Sequence, residues 1–183
     1  MKKIIIGFIG KLSAGKGTAC AYLKEKHKAQ VLMFSRILRD ILDRLYLPQS
    51  RDNMQNLSQS LRETFGQDAL AKVIAADAER SEAPMVAIDG IRRPKDMEFL
   101  KKSDNFQLVF IEADQKLRYE RVLGRGQNAG ESQISFEQFK ENEKAEAESL
   151  IDEVRKEAKF TIANNGTPEE LYQQIELILT KIK

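Results

Sequence analysis

The chain has 183 residues, 30 Lys+Arg against 28 Asp+Glu, and a formal net charge of +2. That length suits one domain. With 42% apolar and 32% charged residues the composition fits a packed core under a charged surface, which excludes a disordered chain, a collagen-like fibre or a disulfide scaffold.

Five short apolar runs read as strands, at 4–9, 31–34, 85–88, 108–111 and 160–163. Each is continuous rather than alternating, as expected of strands covered on both faces. The first run follows two lysines and superficially resembles a signal peptide, but its apolar part is short and ends in a glycine turn, so a mature cytosolic protein is expected. The lone Cys20, expected in the core, suits a reducing compartment. His27, among lysines near the end of the first helix, is expected to be exposed, with no second metal ligand spaced with it. Helical periods fill the gaps between strands. Ile37, Leu38, Ile41, Leu42 and Leu45 form one stripe with Ser35 as its cap, and Met54, Leu57, Leu61 and Phe65 form another that Gly66 ends. Segment 137–159 is densely charged, with an apolar stripe (Leu150, Ile151, Val154) only in its second half, and reads as a half-solvated helix. Thr167-Pro168-Glu169-Glu170 is a capping box that opens a last stripe of Leu171, Ile175, Ile178 and Ile182. Strands alternating with helices imply one α/β domain, residues 1–183, with a five-stranded parallel sheet and helices on both faces.

The chemistry concentrates at Gly10-Lys11-Leu12-Ser13-Ala14-Gly15-Lys16-Gly17-Thr18, a match to G-x-x-x-x-G-K between the first strand and a helix-compatible stretch. Small residues let successive backbone N–H groups converge on a phosphate, and the following helix aims its positive end at the same point. Lys16 adds a full charge between the β- and γ-phosphates of a nucleotide. Asp89, ending the third strand beside this loop, suits magnesium or its waters. Arg118, Arg121 and Arg125 recur at spacings of three and four and share one helix face, a self-repelling row unless anions sit opposite. The small polar stretch 126–132 after them fits a hinged lid; salt bridges from these arginines to the acidic segment that follows are the alternative. No N-K-x-D guanine motif occurs, so a GTPase is not expected, and the chain is short for a remodelling ATPase core with its sensor helices.

The G-K-G-T ending at Gly15–Thr18 resembles the adenylate kinase group of nucleoside monophosphate kinases. The family's usual Pro-Gly inside the loop is here Leu12-Ser13, so Ser13 must adopt the backbone angles that glycine supplies. Asp89-Gly90-Ile91-Arg92-Arg93 resembles the D-G-x-x-R signature whose arginine binds the acceptor phosphate; Arg93 matches by position, with Arg92 a close competitor. Arg39, one turn into the helix after Phe34, matches the family's acceptor-gripping arginine, and Arg36 could assist. The resemblance implies a phosphate-loop kinase using ATP and Mg²⁺, with Lys16, Asp89, Arg121 and Arg125 catalytic. Gly10, Ser13, Ala14, Gly15, Lys16, Gly17, Thr18, Arg118 and Asn165 would hold ATP, and Thr18 with Asp89 would hold magnesium through water. Arg36, Arg39, Arg92 and Arg93 would hold a nucleoside or deoxynucleoside monophosphate. Residues 35–80 would form an acceptor flap and 118–136 a short lid. The Asn164-Asn165-Gly166-Thr167 turn resembles one that lies near the adenine in related kinases, although capping by Thr167 already accounts for part of it. A dephospho-coenzyme A kinase is the rival within the fold, and a nucleotide-binding regulatory module the rival outside it. No nucleic-acid or membrane partner is expected.

Overall fold

The computed structural model describes residues 3–125, 133–143 and 150–182. The strands are β1 (Ile4–Ile9), β2 (Gln30–Met33), β3 (Met85–Asp89), β4 (Phe106–Glu112) and β5 (Phe160–Ala163). The helices are α1 (Lys16–His27), α2 (Phe34–Arg44), α3 (Arg51–Phe65), α4 (Ala69–Arg80), α5 (Gln115–Arg125), α6 (Phe136–Glu143), α7 (Ile151–Arg155) and α8 (Pro168–Ile182). The strands form one parallel sheet in the order β2-β3-β1-β4-β5.

Continuous apolar strands work here because both faces are covered. Ile5, Ile9, Val86, Ile88, Leu108 and Phe110 face a core shared with Leu38 of α2, Leu70 and Ile74 of α4, and Ile151 and Val154 of α7. Ile6, Phe8, Ala87, Val109, Ile111 and Ile162 face the other core, shared with Ala19, Cys20 and Leu23 of α1 and Leu171, Ile175 and Leu179 of α8. β1 lies in the middle of the sheet, and the chain leaves it towards opposite edges. That reversal opens a crevice outside the carboxyl ends of β1 and its neighbours, where open α/β sheets bind ligands.

The capping box at the start of α8 forms: Thr167 N–H donates to Glu170 Oε2 at 3.1 Å, and Glu170 N–H donates to Thr167 Oγ1 at 3.3 Å. Gly66 ends α3 at φ +101°. Four expectations are corrected. Phe34 belongs to α2 rather than to β2, because its buried side chain enters the core as the first helical residue. Met33 therefore precedes the helix and Ser35 lies inside it, making no cap. Phe65 is 68% exposed, because Arg62 occupies the buried side of the last turn of α3. His27 is drawn in by Glu176, whose Oε1 it meets at 2.6 Å and which also accepts Tyr22 OH at 2.6 Å, clasping α1 to α8. The acidic segment also buries more than expected: Phe139 of α6 is fully buried and packs at a tilt against Tyr119 of α5, ring centroids 5.7 Å apart.

Candidate active site

The phosphate loop is held in shape from three directions. Gly10, at φ +153°, passes so close to β4 that a Cβ there would lie 2.2 Å from Ile111 O. Gly15, at φ +110°, would place a Cβ 2.2 Å from Asn164 Nδ2. That same amide donates to Ala14 O at 2.8 Å, a buried hydrogen bond across 150 positions of sequence. Ser13 takes φ +58°, the left-handed angle that the Leu12-Ser13 replacement requires of it. Lys16 Nζ donates to Gly10 O at 2.7 Å and Lys11 O at 3.1 Å, which sets its ammonium over the loop. A Cβ on Gly17 would meet nothing within 4 Å, so the loop is open on that side.

Asp89 ends β3 in register with Phe8 of β1, two residues before the loop begins. The buried Cys20 thiol reports on the neighbourhood: burial pushes it well above its ordinary value, with Asp89 adding to the rise and Lys16 opposing it. Thus carboxylate and ammonium both act at the start of α1. Asp89 and Thr18 make no hydrogen bond or ion pair among the described residues. A carboxylate at the strand end next to β1 and a hydroxyl in the first turn of α1, both without a partner among the described residues, fit Mg²⁺, which is usually held by one or two carboxylates together with substrate phosphates.

The arginines divide into two groups. Arg36 pairs with Asp40 at 2.7 Å on the exposed face of α2, and Arg39 Nη1 donates to Gln49 at 2.7 Å. Arg92 is exposed and Arg93 half-buried. The Arg93 guanidinium has no partner among the described residues. On α5, Arg118 is only 4% exposed and turns inward, donating to Glu143, to Ala113 O at 3.0 Å and to Leu12 O at 3.3 Å. Burial pushes the Glu143 carboxyl up, but the hydrogen bonds from Arg118 and Gln115 outweigh it and hold the group below the ordinary glutamate value. Arg118, which the resemblance assigns to ATP, here links α6 to the phosphate loop through these hydrogen bonds. One turn on, Arg121 Nη1 is buried with no hydrogen-bond partner, and burial holds that guanidinium below the ordinary arginine value. Ser13 Oγ is buried and unpartnered as well. The side chain of Arg125 and the lid stretch 126–132 lie outside the described residues. Asn165 exchanges hydrogen bonds with Asp114, its Oδ1 accepting the Asp114 N–H at 2.8 Å and its Nδ2 donating to Oδ1 at 3.1 Å, so its amide is already engaged.

Three contributors were missed from sequence. Asn164 sat in a turn that was noticed for its neighbour, Glu143 in a segment read as solvated, and Asp96 in the turn after β3. Only Asp96 carried a local signal: Arg93-Pro94-Lys95-Asp96 places proline first and a carboxylate third in a helical turn.

Residues 10–140 match the AAA domain family, and the chain belongs to it. A UPF0200/UPF0201 protein of Archaeoglobus fulgidus is 32% identical over 97% of this chain, which spans 55%, about half, of that relative's length. A UPF0200 protein of Sulfurisphaera tokodaii is 29% identical over 97% of both chains. Among solved structures, a Thermus thermophilus protein superposes with a TM-score of 0.67 at 21% identity over 100% of both chains. The shikimate kinase of Bacteroides thetaiotaomicron gives 0.64 at 14% identity over 97% of this chain and 98% of that one. The shikimate kinase of Acinetobacter baumannii, solved with shikimate, gives 0.59 at 20% identity over 98% and 94%. At these identities the likeness establishes the fold alone, a phosphate-loop α/β domain of the kind these shikimate kinases have.

Proposed function

We propose that this chain is an ATP-dependent kinase that moves the γ-phosphoryl group of Mg·ATP onto a small phosphorylated acceptor, a nucleoside or deoxynucleoside monophosphate. The observation that carries the reading is Lys16 set over a braced phosphate loop, beside the strand that ends in Asp89; among the described residues Asp89 and the Arg93 guanidinium have no partner, and Arg121 Nη1 is buried without one. Transfer of this kind needs little covalent work from the protein beyond alignment and stabilisation of charge on the moving group. The loop N–H groups and the start of α1 would bind the triphosphate, with Lys16 exchanging its loop carbonyls for phosphate oxygens. Thr18 and Asp89 would hold magnesium, which when bound neutralises charge between the β- and γ-phosphates. Arg93, joined by Arg39, Arg36 or Arg92, would orient the acceptor phosphate; Arg121 and Arg125 would reach the transferring group as the lid 118–136 closes and excludes water. Within the flap 35–80, both α2 and α4 place buried side chains in the sheet core, whereas the apolar side chains of α3 are only partly buried there, so movement would fall mainly on α3. A cytoplasmic site suits such a reaction, and among the described residues no helix is long and apolar enough to cross a membrane.

A second reading, a hydroxyl-bearing acceptor such as dephospho-coenzyme A, is favoured by one observation: Arg36 and Arg39 already have protein partners. Coupled assays with Mg·ATP against AMP, CMP, GMP, UMP, dTMP, dephospho-coenzyme A and shikimate test both. Turnover of a monophosphate supports the proposal, turnover confined to the last two supports the second reading, and ATP binding without transfer to any acceptor overturns both.

A further inference from the structure

One buried carboxylate with no role so far joins the proposed flap to the acceptor turn. Asp96, 2% exposed, lies in the short 3₁₀ turn Pro94–Met97, beside the fully buried Met97. Its Oδ2 accepts the backbone N–H groups of both Arg92 and Arg93, each at 3.1 Å. Its Oδ1 accepts Arg62 Nη2, also at 3.1 Å. Arg62, 8% exposed on α3, uses Nη1 on Gln67 O at 2.7 Å, so its guanidinium is fixed at both ends. Behind the turn Ile91 packs so tightly on β1 that a Cβ on Gly7 would lie 2.6 Å from its Cδ1. The turn is thus pinned to the sheet on one side and to α3 on the other.

Stability alone gives little reason for this pair, since well-packed apolar side chains of similar volume often serve as well as a buried ion pair. What the pair does that apolar groups could not is accept two successive N–H groups and so fix the peptide planes from which both arginines depart. The Arg93 guanidinium makes no side-chain contact that would aim it among the described residues, so what is fixed is the point and direction from which its side chain leaves the backbone.

We infer that Asp96 and Arg62 are positioning residues, which hold Arg92 and Arg93 in the orientation that receives the acceptor's phosphate and couple that orientation to α3. The inference rests on the kinase reading above. It explains why a charged pair is kept in the core between the flap and the turn. Asp96→Asn leaves one oxygen to accept, so the amide serves either Arg62 or the two N–H groups, not both. Arg62→Lys keeps the charge but loses the fork that reaches Asp96 and Gln67 together.

The experiment is steady-state kinetics on the full chain with Mg·ATP and whichever of AMP, CMP, GMP, UMP and dTMP the wild-type protein turns over best, alongside thermal melting of each variant. Asp96→Asn is expected to raise KM for the monophosphate about tenfold or more while KM for ATP stays within about twofold, the loss of roughly one charge-assisted contact. Arg62→Lys is expected to shift the same constant in the same direction by less, and it carries the test if Asp96→Asn does not fold. Variants that melt earlier yet keep both KM values and kcat would make the pair purely structural and overturn the inference alone. A wild-type protein that transfers phosphate to none of the five monophosphates overturns the monophosphate-kinase reading, and the inference with it, before any variant is made.

Discussion

The donor and acceptor halves of the site meet at the same sheet edge but are built in different ways. On the donor side, Gly10–Thr18 is one stretch of chain between β1 and α1. The Asn164 side-chain amide holds it at Ala14 O, Gly10 lets it pass close to Ile111 O, and Lys16 already sits over its carbonyls. On the acceptor side, the arginines come from α2 and from the turn after β3. Arg36 and Arg39 are paired within their own neighbourhood, while the Arg93 guanidinium has no partner among the described residues. A preorganised donor loop costs nothing to assemble when the nucleotide arrives. A set of arginines on separate elements can be completed by the acceptor itself, which is how a binding event selects a closed state.

If the donor side is the finished half, its central charge should carry the largest single effect. Lys16→Ala should fold normally and lose about 100- to 1,000-fold in turnover, as removal of one preorganised charge worth about 2.7–4 kcal/mol implies. Circular dichroism and steady-state kinetics on the variant check this. Near-normal turnover by a folded Lys16→Ala protein would remove the donor assignment and with it the contrast between the halves.

The acceptor half sharpens next. Arg93→Ala should raise KM for the acceptor by about 1.5–3 kcal/mol in free-energy terms, with KM for ATP little changed. Arg39→Ala should do less, because that guanidinium gives up a hydrogen bond to Gln49 before it can take a phosphate. Titrating both substrates against each variant ranks the two arginines. Equal effects would mean that Arg39 leaves Gln49 at little cost and that α2 is the flexible part of the acceptor half.

What could be read from sequence follows the same division. The loop was legible because strand, turn and helix are contiguous, so one motif carried both shape and chemistry. Even the awkward position, Ser13 at φ +58°, could be foreseen from the missing glycine. The sheet was legible too, since strands buried on both faces are short, continuous and apolar. The braces were not. Asn164 reaches Ala14 across 150 positions, Arg62 reaches Asp96 across 34, and Arg118 finds Glu143 in a segment whose charge suggested solvent. Each is a polar contact between distant elements, and no local periodicity records it.

The donor loop's brace gives a stability test of intermediate size. Asn164→Ala leaves Ala14 O buried without its donor and should cost about 1–3 kcal/mol in urea unfolding. Gly15→Ala should also destabilise, through the clash at 2.2 Å with Asn164 Nδ2 and the unfavourable φ of +110°. In the double variant the clash is gone and only the backbone strain persists, so the two losses should add to less than their sum. Full additivity would mean that Asn164 does not set the shape of the loop.

The smallest effect, and the most discriminating, lies on one face of α5, where two arginines one turn apart have opposite surroundings. Arg118 is buried against Glu143 and the Leu12 carbonyl; Arg121 has a buried Nη1 with no hydrogen-bond partner among the described residues. Removing Arg118 strands the Glu143 carboxylate in a site where burial alone would push its pKa up, so Arg118→Ala should lower the melting temperature and loosen the phosphate loop. Removing Arg121 takes away a buried Nη1 that has no hydrogen bond among the described residues, so stability should hold or rise slightly. Its contribution should come only when the transferring phosphoryl group develops charge in a water-poor site, where a cation at short range acts through a lower dielectric. Arg121→Ala should therefore lower kcat about tenfold, roughly 1.4 kcal/mol, with KM for ATP nearly unchanged, the pattern of a contact made in the transition state. Melting curves and steady-state kinetics on the two variants decide the matter together. A loss of stability with intact kcat in both would make α5 a structural helix that pairs with the acidic segment and would end the lid assignment, while the phosphate loop would stand on its own geometry.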